Sequence, residues 1–250
     1  MQLHTPEHTI QALQRCIKDS HHIVAIIGIE MMVEGGGINL DSNEQTYRME
    51  QEYGACPEEL LSGGFYCAKK ERFFNFYRKE ILGMKIDSTP AYEALYKLQQ
   101  QGQLHTVINQ NDHPIPSTYH FARVIDLNGS ITRNHCTKCH AEYDHNYLLA
   151  SHGIPQCSSC NGAIRPDIRL IGERVDNTKM TQALEACDNA DVVIIMGKNI
   201  FGDRLQSDCP DIRQRHQTRI LFSEERYLPE ERADYIIHDE IKQIMPLLVQ

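Results

Sequence analysis

Four cysteines in two closely spaced pairs constrain this chain more than any other feature of its sequence. Cys136 and Cys139 form one Cys-x2-Cys pair, and Cys157 and Cys160 form a second. Two such pairs at this separation are typical of a zinc ribbon, in which four thiolates hold Zn²⁺ tetrahedrally. The alternative is a set of free or disulfide-bonded cysteines. We expect a structural zinc, because four thiolates close the coordination shell and leave no position for water or substrate.

The remaining cysteines show no such pairing, and each is expected to be a small buried apolar side chain: Cys16, Cys56, Cys67, Cys187 and Cys209. An odd total of nine cysteines without a secretory leader favours reduced thiols, and hence a cytoplasmic protein. No apolar run reaches the roughly 18 residues that a membrane span requires. The formal net charge is −9 and there is no basic tract, so no nucleic-acid partner is expected.

Aliphatic runs typical of buried strands recur along the chain, at residues 23–29, 104–108, 124–127, 191–196 and 219–222. Helical patterns alternate with several of them, after Thr5-Pro6, at residues 71–82, 90–101 and 178–187, and from residue 239 onwards. Strands that alternate with helices predict the α/β class, here a Rossmann-like, doubly wound parallel sheet.

Two segments interrupt this alternation. The cysteine pairs fall between two predicted strands, so residues 131–171 are predicted to form an inserted zinc-ribbon module. Residues 31–84 begin with a glycine-rich loop and are predicted to form a small helical module that includes this loop. The Rossmann-like domain is then assigned to residues 1–30, 85–130 and 172–250.

The turns after the predicted strands are the candidate site, because ligands of an open parallel sheet bind outside the carboxyl ends of its strands. These turns contain motifs that can be compared with known families. Gln110-Asn111 matches a TQN turn, and residues 124–130 stand where an ELHG motif would lie. Residues 53–62, 71–78, 133–139 and 154–168 add further matches, ending in Gly172-Glu173. Together these segments resemble the sirtuin family over nearly the whole chain.

The resemblance implies an NAD-dependent protein lysine deacylase, with a cleft for NAD and a protein or acyl-lysine peptide between a Rossmann-type domain and a zinc-ribbon lobe. It implies catalytic positions at Asn128, which stands at the place of the family's catalytic His, and at Asn111. It also implies a set of cofactor-binding positions: Gly28, Glu30, Gly36, Gln110, Asn111, Gly197, Lys198, Asn199 and Ser223.

The residue at the catalytic position departs from the family. In sirtuins a His acts there as the general base toward a ribose hydroxyl, and this chain carries Asn128. An amide does not titrate near neutral pH, so a rate contribution of roughly 10²–10⁴ is expected to be lost. Asn128 retains the capacity to hydrogen-bond a ribose.

The cofactor turns depart as well. Where sirtuins read GAGxSxxSGIPDFR, Glu30 replaces a glycine, and Leu40 and Asp41 replace the terminal aromatic and Arg. Two like charges about 4 Å apart repel by roughly 4 kcal/mol at an effective dielectric near 20, so Glu30 is expected to oppose a pyrophosphate. Lys198 restores one positive charge. His113 falls at the family Asp after TQN, and Ser223 begins the turn that replaces INxE.

The cofactor and catalytic turns are altered, while the zinc ribbon is intact. This pattern favours a pseudoenzyme, that is, a sirtuin scaffold whose NAD chemistry is impaired. NAD binding is then doubtful. The first alternative is an active NAD-dependent enzyme with a changed mechanism, such as a protein ADP-ribosyltransferase, which does not need the missing base. The second is residual deacylation with a substitute base from His113 or His120. A His in a connecting loop is more often a solvated side chain, which weighs against this substitution.

Overall fold

The computed structural model describes residues 5–40, 42–197, 217–223 and 233–249. Two sheets organise these residues. The larger is a parallel sheet of six strands, and the smaller is an antiparallel sheet of three strands. The strands in chain order are β1 (Ile23–Ile27), β2 (Leu104–Asn109), β3 (Val124–Asp126), β4 (Gly129–Cys136), β5 (Glu142–Tyr143), β6 (Ile164–Ile168), β7 (Val192–Met196), β8 (Thr218–Phe222) and β9 (Tyr235–Ile237).

Helices lie between these strands. They are α1 (Glu7–Asp19), α2 (Ile29–Glu34), α3 (Asn43–Tyr53), α4 (Pro57–Leu60), α5 (Gly63–Ala68), α6 (Lys70–Phe76), a π-helix (Tyr77–Leu82), α7 (Pro90–Gln100), α8 (His145–Ala150), α9 (Asn177–Asp188) and α10 (Ile241–Leu248). No helix among the described residues is long and apolar enough to cross a membrane.

The parallel sheet has the strand order β3-β2-β1-β7-β8-β9, so the order reverses beside β1. All five side chains of β1 are buried, and they alternate between the two faces of the sheet. Ile23, Ala25 and Ile27 belong to one apolar cluster with α1, α7 and α10. Val24 and Ile26 belong to a second cluster with α9. The predicted doubly wound sheet is therefore confirmed.

The antiparallel sheet, with the order β5-β4-β6, carries the four cysteines. Its apolar side chains pack in one cluster with those of α3 to α6 and the π-helix. Four aromatic side chains in this cluster are fully buried: Phe73, Phe74, Phe76 and Tyr77. The predicted helical and zinc-ribbon modules thus share a core, while their boundaries at residues 31–84 and 131–171 remain predictions.

Several predicted element ends were wrong. The strand predicted at residues 23–29 ends at Ile27, and α2 begins immediately after Gly28. The helix predicted at residues 71–82 changes to a π-helix at Tyr77, where Gly83 N–H donates to the Arg78 carbonyl five residues back at 3.0 Å. Sequence patterns did not predict β9. Asp41 and Cys209 lie outside the described residues.

The carboxylate of Glu80 fastens the π-helix to α3. The Glu80 side chain is buried and accepts hydrogen bonds from Arg48 Nη2 at 2.7 Å and from the Tyr53 hydroxyl at 2.8 Å. The hydrogen bond from Arg48 is the main reason why the pKa of Glu80 is lowered from its ordinary value. A carboxyl group with a lowered pKa stabilises the fold above its ordinary pKa, and this contribution is lost as the pH falls through the folded-state value.

We expect Glu80→Gln to lower the free energy of unfolding by about 1–3 kcal/mol at pH 7, because charged hydrogen bonds to two partners are weakened. Glu52→Gln is the matched control, since Glu52 pairs with Arg48 and Lys79 at the surface and its loss should cost less than about 1 kcal/mol. Urea unfolding measures both. The difference between the wild type and Glu80→Gln in the free energy of unfolding should narrow as the pH falls below the ordinary carboxyl pKa of about 4.3. A difference that does not change with pH would contradict the role of the Glu80 charge.

Candidate functional site

The four predicted metal ligands lie together at the end of the antiparallel sheet. Their Sγ atoms are all within 4.8 Å of one another, and no other such cluster of metal-ligating residues occurs in the part of the chain that the structure describes. The Sγ atoms of Cys136 and Cys160 are 3.5 Å apart, as are those of Cys139 and Cys157. Zinc–sulfur bonds of about 2.3 Å in a tetrahedron require sulfur atoms roughly 3.8 Å apart. The cluster therefore fits a structural zinc ion.

Two neighbouring residues shape the cluster. The Tyr143 hydroxyl donates to Cys157 Sγ at 3.1 Å and is the main reason why the pKa of Cys157 is lowered to about 6. Gly162 faces the sulfurs so closely that a Cβ there would stand 2.8 Å from Cys136 Sγ. A glycine at position 162 thus leaves room for the four thiols to converge.

The other described cysteines take no part in this cluster. Cys187 is buried, as predicted, and Cys16 and Cys56 are partly buried. The prediction for Cys67 was wrong, because its side chain is exposed on α5.

The turns that follow the parallel strands meet along one edge of the sheet. Gly28 follows β1, Gln110 and Asn111 follow β2, Asn128 lies just beyond β3, and Gly197 and Ser223 follow β7 and β8. The structure thus brings these predicted residues to the edge where ligands of such a sheet bind. Lys198 and Asn199 lie outside the described residues. The roles of the described residues in catalysis and cofactor binding remain predictions.

Asn128 is buried, and both polar ends of its amide are bonded to protein. Its Nδ2 donates to the Gln110 carbonyl at 2.6 Å, and its Oδ1 accepts from Arg169 Nε at 2.8 Å. A carbonyl only accepts and a guanidinium only donates, so these partners allow a single orientation of the amide. The Asn128 carbonyl also accepts from the Arg169 backbone N–H at 2.8 Å. Asn128 is therefore a structural link between two turns and the end of β6.

Sequence analysis did not identify Arg169. Its sequence neighbourhood gave no signal, because Arg169 is one of several charged residues between Arg165 and Arg174. The pairing of Arg169 with Asn128 follows from the register of β4 with β6, which the sequence does not give.

Asn111 forms hydrogen bonds that hold the turn after β2 in place. Its Nδ2 donates to the Gly28 carbonyl at 3.0 Å, and its backbone N–H is held by Asn109 Oδ1 at 3.1 Å. Gln110 N–H donates to the Ile27 carbonyl at 3.0 Å. The Oε1 atom of Gln110 is buried, and no group in the described residues donates to it.

Glu30 lies over the turn that follows β7. Its carboxylate is so close to Gly197 that a Cβ on Gly197 would stand 1.8 Å from Glu30 Oε2. Gly197 also has a φ of 86°, which favours glycine. The chain thus places a carboxylate of its own between the turns that follow β1 and β7.

A cavity of about 20 Å³ lies beside Asn111. This volume accommodates one water molecule. The walls are formed largely by apolar side chains from α2, the loop after it and the π-helix, and by the turn after β2: Met32, Leu40, Leu61, Ile81, Met84, Gln110, Asn111, Asp112 and His113.

The remaining predicted cofactor residues make backbone contacts within the fold. Gly28 N–H donates to the Met196 carbonyl at 2.8 Å. Ser223 is buried, its N–H donates to the Ile237 carbonyl at 3.0 Å, and its own carbonyl lies 2.8 Å from His238 Nδ1. Gly36 has a φ of 94° at the end of the turn after α2.

His113 was expected to be a solvated loop residue, and this expectation was wrong. The side chain is 7% exposed, with Nδ1 2.8 Å from Asp112 Oδ1 and Nε2 3.1 Å from the Ile81 carbonyl. Both ring nitrogens are thus occupied by protein groups. His120, the other proposed substitute, is exposed.

Three features together define a known class of protein. They are the parallel sheet with this strand order, the inserted four-cysteine ribbon, and the cleft edge built from the turns at Gly28, Asn111 and Asn128. The sequence model of the Sir2 family matches residues 42–201. The chain belongs to the Sir2 family, the sirtuins, in which NAD-dependent protein deacetylases are found.

Individual relatives cover nearly the whole chain. An NAD-dependent protein deacetylase of Clostridium perfringens is 29% identical over 236 residues, which are 94% of this chain and 96% of the relative. A solved structure described as the structural basis for the mechanism and regulation of Sir2 enzymes has a TM-score of 0.82 at 22% identity, covering 98% of this chain and 97% of its own. A Sir2 homolog in complex with NAD has a TM-score of 0.82 at 22% identity, covering 96% and 92%.

We expect Cys139→Ser to abolish zinc binding and to unfold the ribbon, because the free energy of metal binding at such a site is folding free energy. Cys67→Ser is the matched control, since Cys67 lies outside the cluster and its loss should leave the zinc content unchanged. Elemental analysis and amide NMR spectra of the purified variants measure both effects. A Cys139→Ser protein that keeps its zinc and its folded ribbon would contradict the assignment.

Proposed function

We propose that this sirtuin-fold protein is impaired as an NAD-dependent protein lysine deacetylase and acts by binding a protein segment or acyl-lysine peptide. The observation that carries the proposal is the buried amide of Asn128, whose two polar ends are held by Gln110 and Arg169. An amide accepts no proton near neutral pH, so the acyl-transfer step lacks its general base.

The groups around Asn128 would also engage a histidine introduced at position 128. A neutral imidazole has one donor and one acceptor nitrogen. At position 128 the donor would face the Gln110 carbonyl and the acceptor would face Arg169 Nε, as the amide atoms do now. The lone pair that should take the substrate proton is then already engaged.

The position of Glu30 supports the impairment. Its carboxylate lies against Gly197, between the turns after β1 and β7, and a carboxylate there would repel a pyrophosphate. We assign no chemical step to NAD.

Binding of a protein segment is supported by the family, and the segment after β6 is held in place by an ion pair. Arg165 Nη2 lies 2.6 and 2.7 Å from the two carboxylate oxygens of Glu173, which in turn accepts from Leu170 N–H at 2.9 Å. The relatives named above are protein deacetylases, so a protein partner is consistent with the family. Zinc binding requires reduced thiolates, which supports a cytoplasmic location.

Deacetylation of an acetyl-lysine peptide, followed as nicotinamide release from NAD, tests the proposal. The zinc-loaded protein is expected to turn over at least about 100-fold more slowly than the Clostridium perfringens deacetylase assayed beside it. Asn128→His alone is expected to remain equally slow, because both ring nitrogens are engaged. Asn128→Ala is the matched control and should cause no further loss.

Turnover by the wild type within about tenfold of the relative, abolished in Asn128→Ala, would overturn the proposal. Full activity gained by Asn128→His alone would show that Arg169 and Glu30 do not impair the site, and would leave the missing base as the sole defect.

A further inference from the structure

The side chain of His113 contacts two groups that only accept hydrogen bonds. The Asp112 carboxylate lies 2.8 Å from Nδ1, and the Ile81 carbonyl lies 3.1 Å from Nε2. An imidazole satisfies two acceptors only when both of its nitrogens carry protons, so this geometry requires an imidazolium. A neutral ring would direct a lone pair at a carboxylate or at a carbonyl inside the protein, which is costly for a buried group.

The two contacts connect different parts of the fold. Asp112 lies in the turn after β2, next to Asn111, and Ile81 lies near the end of the π-helix. The His113 carbonyl also accepts from Asn109 Nδ2 at 2.9 Å, and Ile131 N–H donates to the Asp112 carbonyl at 2.9 Å. The ring is therefore the side-chain contact through which this turn holds the π-helix.

We propose that His113 is a pH-sensitive clamp: its imidazolium form fastens the turn at residues 110–113 to the π-helix, and loss of one proton releases that turn.

The surroundings of the ring favour the charged form. Burial acts to lower the pKa of His113, and the Asp112 carboxylate with the Ile81 carbonyl outweighs burial, so the pKa is raised above its ordinary value. Among the described residues, Asp112 is the charged group that faces the ring. Tyr77, buried in the π-helix near the same carboxylate, has its pKa raised and stays neutral. The cavity beside Asn111, which His113 also lines, has the apolar side chains of Met32 and Met84 in its wall.

The sign of the pH effect follows from this arrangement. A histidine whose folded-state pKa is raised stabilises the fold fully below its unfolded pKa of about 6.5, and this stabilisation is lost as the pH rises through the folded-state value. The clamp is thus closed below the ordinary pKa of about 6.5 and opens as the pH rises through the raised folded-state value. Opening loosens the turn that carries Gln110 and Asn111 at the cleft edge.

Long-range ¹H–¹⁵N NMR of the zinc-loaded wild-type protein tests the clamp directly. One imidazole, identified by its absence in His113→Gln, is expected to show two protonated ring nitrogens below about pH 6.5 and to titrate with a midpoint above the ordinary value of about 6.5. Asp112→Asn should lower the titration midpoint of that ring by about one unit or more. His120→Gln is the matched control, since His120 is exposed on the same connection and its loss should leave the His113 signals unchanged.

Amide exchange measures the consequence for the turn. Protection factors at residues 110–113 in the wild type are expected to fall above the midpoint of the His113 titration and to be low at all pH values in His113→Gln. A titration midpoint of the His113 ring at or below the ordinary value of about 6.5 in the wild type would overturn the proposal, and this readout does not require any variant to fold. Protection that is unchanged across the titration would also overturn it. Neither result depends on whether NAD or a peptide binds.

Discussion

One buried amide joins the two sheets of this protein. The Asn128 side chain donates to the turn after β2 and accepts from Arg169 just beyond β6, so this buried amide is one of the contacts that hold the parallel sheet to the cysteine-bearing sheet. These partners differ in kind, one an acceptor and the other a donor, and an amide satisfies both without a net charge. Asn128 therefore holds the cleft edge together, and we propose that it does so in place of the catalytic His that the resemblance implies.

The scaffold and the cofactor turns depend on separate sets of residues. The ribbon needs its four thiols, the room left by Gly162 and the hydrogen bond from Tyr143, and none of these touches the cleft edge. Glu30 and Asn128 lie outside the ribbon. On the function proposed above, the family fold is kept while the charge and the hydrogen-bonding capacity of its cleft differ.

Much of the fold was predictable from local patterns. Fully aliphatic runs such as β1 identify buried parallel strands, and the cysteine spacing identifies the ribbon, because both signals are short-range in sequence. The contacts of Glu30 with Gly197, of Arg169 with Asn128 and of His113 with Ile81 were not predictable. Each joins residues that are distant in sequence, so its partner is set by the packing of the folded chain. Burial of His113 in particular depends on the π-helix, which the helical periodicity of residues 71–82 did not reveal.

Isothermal titration of NAD into the zinc-loaded wild-type protein tests the central claim most directly, because it separates loss of cofactor binding from loss of a catalytic base. The account predicts no detectable binding up to millimolar NAD, and measurable binding once Glu30→Gly removes the carboxylate beside Gly197. Micromolar binding of NAD by the unmodified protein would contradict it, and would mean that the cleft edge accepts the cofactor with Glu30 in place.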